Sequence, residues 1–266
     1  MAIFEPKGEV NARAALTNLP DLVTRGGVRK RGSSSGSFPK YAMSFEAWTE
    51  HDWEERSIRP AGLPGEDDWI LNSRYEADRT LMRNALAYEL SRQAGRYAAR
   101  TRFVEVYLKT DEGGNLSNDD YFGVYCLMER LDRDDDRIDV SRLDASINSE
   151  PEINGGYIFK NDRADPGEPT FQTNAFGRPL VRIYPDGAPN PRRPDAYFIT
   201  TAQKNWLRDH VNEIWAAVSR RGSPATDGIN PDTGKHFSEY IDVDSFIDHH
   251  WINTLMMNVD YGSHSA

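Results

Sequence analysis

The chain has 266 residues, with 32 Lys and Arg against 42 Asp and Glu, a formal charge of −10 with histidine neutral. That balance weighs against nonspecific binding to nucleic acid or anionic membrane and suits a basic partner. A hydrophobic share of 38% with 11% aromatics argues against disorder, and the length is ample for a core. The single cysteine, Cys126, excludes an internal disulfide and a cysteine-based zinc site. No apolar run approaches the roughly 18 residues of a membrane span. The stretch Met1 to Lys7 has no apolar signal core.

In chain order, the first clear feature is a Gly/Ser turn, Arg31-Gly32-Ser33-Ser34-Ser35-Gly36-Ser37, between two strand-like stretches. The second stretch runs from Lys40 to Phe45. Asp78 to Gly95 reads as an amphipathic helix: Met82, Leu86, Leu90 and Ala94 recur at i+4, and Gly95 suits a C-terminal cap. Two strands follow, Arg102 to Leu108 and Phe122 to Met128. The second places Phe122, Val124, Cys126 and Met128 on one face. Gly113-Gly114-Asn115 in the joining loop predicts an antiparallel pair.

The acidic stretch Asp132 to Asp139 reads as a solvated loop, with binding of a cation or a basic peptide as the alternative. Gly155 to Lys160 is a further strand. Asp162 to Pro194, rich in Pro, Gly and Asp, reads as a long irregular excursion. Thr200 to Gln203 resembles a capping box heading a helix with Leu207, Val211, Ile214, Trp215 and Val218 on one face. Arg220-Arg221-Gly222 ends it. Asp242 or Asp244 caps a final helix carrying Phe246, Ile247, Trp251 and Leu255. Strands cluster early and helices late, which predicts an α+β fold.

Common constellations are missing from the sequence. It has no Gly-x-x-x-x-Gly-Lys-Ser/Thr loop, no Gly-x-Gly-x-x-Gly and no Gly-x-Ser-x-Gly. His249 and His250 are adjacent, about 100° apart on a helix, and make a poor pair of metal ligands. Arg31 and Lys40 flank the Gly/Ser turn, which is either a phosphate cradle or a plain hairpin loop. Glu129-Arg130 ends a strand, a place for functional side chains or for a simple ion pair. Asn258-Val259-Asp260 follows the last helix, where a carboxylate acts as general base, metal ligand or cap. Spacing alone names no reaction.

Several segments taken together, in order, resemble the CotH (spore coat protein H) kinase family. They are Arg31 to Lys40, Asp68-Trp69-Ile70-Leu71, Asp78 to Asn84, Arg100 to Glu105, Gly123 to Arg130, Gly155-Gly156-Tyr157-Ile158, Tyr240 to Asp248, and Asn258-Val259-Asp260. The resemblance implies a divergent, protein-kinase-like fold of two lobes. Residues 1–130 would form an N-terminal lobe of strands and one bracing helix, and 131–266 a helical C-terminal lobe that is incomplete. It also implies transfer of the ATP γ-phosphoryl group to protein Ser or Thr, with Mg or Mn.

By the same resemblance Lys40 pairs with ATP phosphates, helped by Arg31 and by the turn at Ser33, Ser34 and Ser35. Many relatives carry a second Lys where this chain has Tyr41. Arg83 or Glu89 braces the lysine from its helix. Glu129 lies near the lobe connection, close to the nucleotide, and Asp260 is the catalytic-loop aspartate. The family's metal-binding Trp-Asp-x-Asp segment is expected beyond Ala266, which leaves the metal ligand unknown and makes this chain, on that expectation, a weak or inactive kinase. A basic, Ser-rich protein is the expected substrate, and the cell envelope or exterior the suggested location.

Two other readings stand beside this one. A non-catalytic coat or surface module, such as a pseudokinase scaffold or adhesin, would keep the fold and lose the chemistry. A carbohydrate-active enzyme would need paired carboxylates at a set separation, which the sequence does not display.

Overall fold

The computed structural model describes residues 1–8, 12–32, 35–73, 78, 80–111, 113–164, 167–185, 198–219, 227–258 and 261. The chain divides into two compact units, Met1–Gln93 with Tyr97–Leu131, and Ala94–Arg96 with Asp132–Ala266. The protein is a mixed α and β structure with antiparallel sheets and, among the described residues, three α-helices.

In the first unit, β1 (Ala2–Ile3) and β2 (Leu22–Val23) form a small ribbon. A five-stranded antiparallel sheet follows, built from β3 (Arg25–Arg31), β4 (Ala42–Trp48), β5 (Asp68–Asn72), β6 (Thr101–Tyr107) and β7 (Tyr121–Glu129). Its spatial order is β3-β4-β5-β7-β6. β4 alternates as a half-buried strand should, with Met43, Phe45 and Ala47 inward. Phe45, Ala47, Trp69 and Leu127 form a core with Ile58 and Leu63 from the loop after β4. Gly26 lies opposite Ala47, and a side chain there would run into the Phe45 ring and the Glu46 carbonyl oxygen. Edge strand β3 is rich in Arg and Lys, which discourages pairing with foreign strands.

The β6–β7 pair is antiparallel as the loop chemistry predicts. The expected face of β7 is corrected. Tyr125 through Glu129 are all buried, so both faces of this stretch are covered, while Val124 is exposed. A register shift between Val106 and Tyr107 leaves Phe122 out of the pairing and re-aims it.

The first helix, α1 (Met82–Gln93), starts later than predicted because the Asp78 carboxylate caps the turn before it, accepting from the Arg83 N–H at 2.8 Å. Gly95 follows it with φ +81°, the cap position expected of it. The helix buries none of its side chains, and Met82 and Leu86 are exposed.

The second unit holds a three-stranded sheet of β8 (Ile158–Lys160), β9 (Thr170–Phe171) and β10 (Leu180–Tyr184), in the order β8-β10-β9. The stretch read as irregular therefore contains two strands, and the second half is not simply helical. Its Gly, Pro and Asp residues make the connections, while Leu180, Val181 and Phe171 are buried. Residues 186–194 of that stretch lie outside the described ones.

Against this sheet packs α2 (Thr201–Val218), through Leu207 and Val211 on Phe171 and Leu180. The predicted capping box is present: the Thr200 hydroxyl accepts from the Gln203 N–H at 3.2 Å, and the Gln203 side chain accepts from the Thr200 N–H at 3.0 Å. Gln203 is fully buried, and its amide also donates to the carbonyls of Asp144 and Ile147, each at 2.7 Å. The rings of Tyr157, Trp206 and His210 stack in sequence at 5.4 and 4.8 Å, and Tyr240 meets His210 edge-on at 5.9 Å.

The last helix, α3 (Val243–Leu255), is capped by Asp242, which accepts from the Ser245 N–H. Arg96 ties to its first turns through Asp242 at 2.9 Å and Asp248 at 2.8 Å. The apolar residues that α3 carries, Phe246, Ile247, Trp251 and Leu255, are all exposed, Trp251 by 65%.

Gln203→Ala should lower unfolding free energy by about 3 kcal/mol, because it leaves two part-buried carbonyls and the Thr200 N–H without this partner. Urea denaturation measures this. Burial pushes the His210 imidazole below its ordinary value of 6.5, so the unfolded chain takes up this proton more readily than the folded one. Stability should therefore fall as the pH drops below that ordinary value. His249 shifts the same way through burial. Urea midpoints at about pH 7.5 and about pH 5.5 should show the loss, and His210→Phe should reduce it without abolishing it.

Candidate functional site

Lys40 sits in the connection between β3 and β4, two residues before β4 begins at Ala42. Its backbone is pinned by the buried Ser73 hydroxyl, which donates to the Lys40 carbonyl at 2.9 Å. Its side chain crosses to β7. There the ammonium Nζ donates to the Val124 carbonyl at 2.5 Å and faces the Tyr125 ring, 4.9 Å from its centroid. Burial pushes the Lys40 amine below its usual value.

Gly123 shapes this crossing. Its φ of +111° lies in the region that favours glycine, and a Cβ there would stand 3.3 Å from Lys40 Cε. The rings around the amine form a chain. Tyr125 stacks on Phe122 at 5.9 Å, Phe122 meets Tyr41 at 5.2 Å, and Lys30 of β3 places its Nζ 4.2 Å from the Tyr41 ring. The Tyr125 hydroxyl donates to the Tyr41 carbonyl at 2.9 Å. Desolvation raises the Tyr125 hydroxyl well above its usual value, so it stays a proton donor.

The result is a shelf of three aromatic side chains with an ammonium group at each end. Such a surface offers N–H donors and positive charge to an anion. The sequence reading found Lys40 but not Lys30, Phe122 or Tyr125. No local pattern could have found them, because Lys40 and Tyr125 are far apart in the chain and meet only once β7 takes its place beside β5.

Glu129, at the other end of β7, is fully buried. Its carboxylate accepts from the Arg100 backbone N–H at 2.7 Å and from the Arg100 guanidinium at 2.9 to 3.1 Å, with the Tyr97 hydroxyl at 3.5 Å. Arg130 pairs with Asp68 of β5. Glu89 bonds Arg92 and Gln93 on its own helix, and the Arg83 N–H bonds Asp78. Among the described residues, no hydrogen bond or ion pair joins Arg83 or Glu89 to Lys40. Arg31 is exposed at the end of β3, opposite Ala42. Ser33, Ser34 and Asp260 lie outside the described residues.

Near the end of α3, Asn258 donates to the Asn253 side chain at 2.7 Å, and Tyr261 lies between the His249 and His250 rings at 5.5 and 5.7 Å. Among the described residues, no group of three or more His, Cys, Asp or Glu is placed to hold a metal ion.

Glu129→Ala should destabilise the protein by about 3 kcal/mol, because it strands part of the Arg100 guanidinium and a backbone N–H. Glu129→Gln should cost less, since an amide oxygen still accepts from that N–H. Chemical denaturation of the two variants side by side checks the order.

The family model described as CotH kinase protein matches residues 28–266. No curated protein matches the chain. No helix among the described residues is long and apolar enough to cross a membrane. With most of its length matched, this chain belongs to the CotH kinase family.

Proposed function

We propose that the protein is an ATP-dependent protein Ser/Thr kinase, laid out in two lobes like other protein kinases. Residues 1–130 form the nucleotide-side lobe in this reading, and 131–266 belong to the substrate-side lobe. The family match over residues 28–266 carries the proposal. The setting of Lys40 supports it chemically.

Phosphoryl transfer depends on positioning and on neutralising charge, so the protein needs a cation fixed where phosphate oxygens arrive. Lys40 suits that need. One of its three N–H groups is committed to Val124, and the others remain for acceptors. Gly123 leaves the room that a side chain would fill. In this reading Arg31, Ser33 and Ser34 supply further donors to the phosphates. Glu129 serves by holding the end of β7 to Arg100, since its carboxylate is already occupied there. Asp260 orients the substrate hydroxyl and accepts its proton. Bound ATP with Mg or Mn supplies the phosphoryl group and the metal charge. A basic, Ser-bearing protein is the substrate that a chain of charge −10 would draw in fastest.

The protein expressed from its whole reading frame should transfer labelled phosphate from ATP, with Mg or Mn, to a Lys/Arg-rich serine peptide. Lys40→Ala and Asp260→Asn should each slow transfer by about 10²-fold or more while leaving the thermal midpoint near wild type. Transfer that survives both substitutions, or no transfer with either metal, would reject the reading.

A further inference from the structure

Tyr125 touches Lys40 in two separable ways. Its ring faces the ammonium at 4.9 Å, and its hydroxyl holds the carbonyl of the next residue, Tyr41, at 2.9 Å. Ser73 holds the Lys40 carbonyl itself. The backbone that follows the lysine is thus held at two successive carbonyls, and the free end of the side chain rests on β7.

A lysine side chain has four rotatable bonds and so carries much rotamer entropy. An unsupported lysine loses that freedom when it meets an anion. Here the Val124 carbonyl and the Tyr125 ring have already restricted it, and the absence of a side chain at Gly123 leaves it that path. Tyr125 is itself held firmly. It is fully buried, stacked on Phe122 with 14° between ring planes, and bonded at its hydroxyl. A rigid ring against the amine fixes where the positive charge points.

We propose that Tyr125 is the positioning residue for Lys40: its ring is the shelf that presents the ammonium, preorganised, to the phosphate oxygens of a nucleoside triphosphate. This rests on the reading of Lys40 as the phosphate-binding lysine. The ring is the working part, and the hydroxyl secures the backbone beside it. The effect is confined to ligands that carry phosphate, because only those meet the ammonium.

The test uses calorimetric titration of the protein with ATP·Mg, with inorganic tripolyphosphate and with adenosine. Tyr125→Leu should weaken ATP·Mg and tripolyphosphate about two- to fivefold, the range of a cation–ring contact, and leave adenosine unchanged. Tyr125→Phe keeps the ring and should stay within about twofold of wild type. In a Lys40→Ala background, Tyr125→Leu should add nothing, since the group it supports is gone.

Lys40→Ala that leaves tripolyphosphate binding intact would sink the parent reading of Lys40, and this inference with it. Lys40→Ala that weakens binding while Tyr125→Leu does not would overturn the inference alone. Equal weakening of all three ligands, or weakening that persists in the Lys40→Ala background, would show that Tyr125 acts only on the fold. Should Tyr125→Leu fail to fold, Phe122→Leu takes its place, since it loosens the stack from behind. It should shift tripolyphosphate binding in the same direction, and unchanged binding there would overturn the proposal.

Discussion

A carboxylate withdrawn from water must have its charge met inside the protein. Glu129 has no solvent exposure, and Arg100 meets it with its backbone N–H and its guanidinium. This pair locks the end of β7 to the start of β6. On its other side β7 is in register with β5, Glu129 opposite Trp69 and Leu127 opposite Leu71. With that end fixed, strand alternation puts Glu129, Leu127 and Tyr125 on one side of the sheet. The aromatic shelf under Lys40 is therefore positioned from the far end of the strand that carries it.

At the near end of β7 regularity is given up. Phe122 drops out of the β6 register, and Gly123 takes a backbone conformation that a side chain would strain. The two departures act together. The extra residue turns Phe122 toward Tyr125 instead of alternating away from it, and the glycine leaves a path for the Lys40 side chain. A regular strand here would have kept the pairing and lost the stack. The bulge thus belongs to the candidate site as much as any side chain does.

How much of this could be read from the sequence depended on how local each cause is. The Thr200 and Gln203 cap of α2 was legible because its partners are three residues apart. The β6–β7 pair was legible from its loop. The face of β7 was not, because alternation marks a buried face only where the other face is wet, and Tyr125 to Glu129 are covered on both sides. β10 was hidden by the composition of its surroundings, although Leu180-Val181-Arg182-Ile183-Tyr184 is a strand-like run in itself. The apolar positions of α3 were read correctly as a set, but periodicity cannot say whether a partner covers them. Of the site, Lys40 came through family resemblance. Its ring partners came only from the fold, which joins residues about 80 positions apart (Lys40 to Val124 and Tyr125).

The acidic total and the cationic shelf are compatible for a reason of distance. Charges more than about 8–10 Å apart are largely screened at physiological ionic strength. A phosphate group therefore responds to the few charges beside it and only weakly to a net −10 spread over the surface. At the aromatic shelf the nearby positive charges are Lys40 and, on β3, Lys30. Burial holds the Lys40 amine below its usual value, because withdrawal from water disfavours its charged form. On the proposed reading of Lys40, an anion beside the amine would offset that penalty, so the lysine would gain more from a phosphate oxygen than from water.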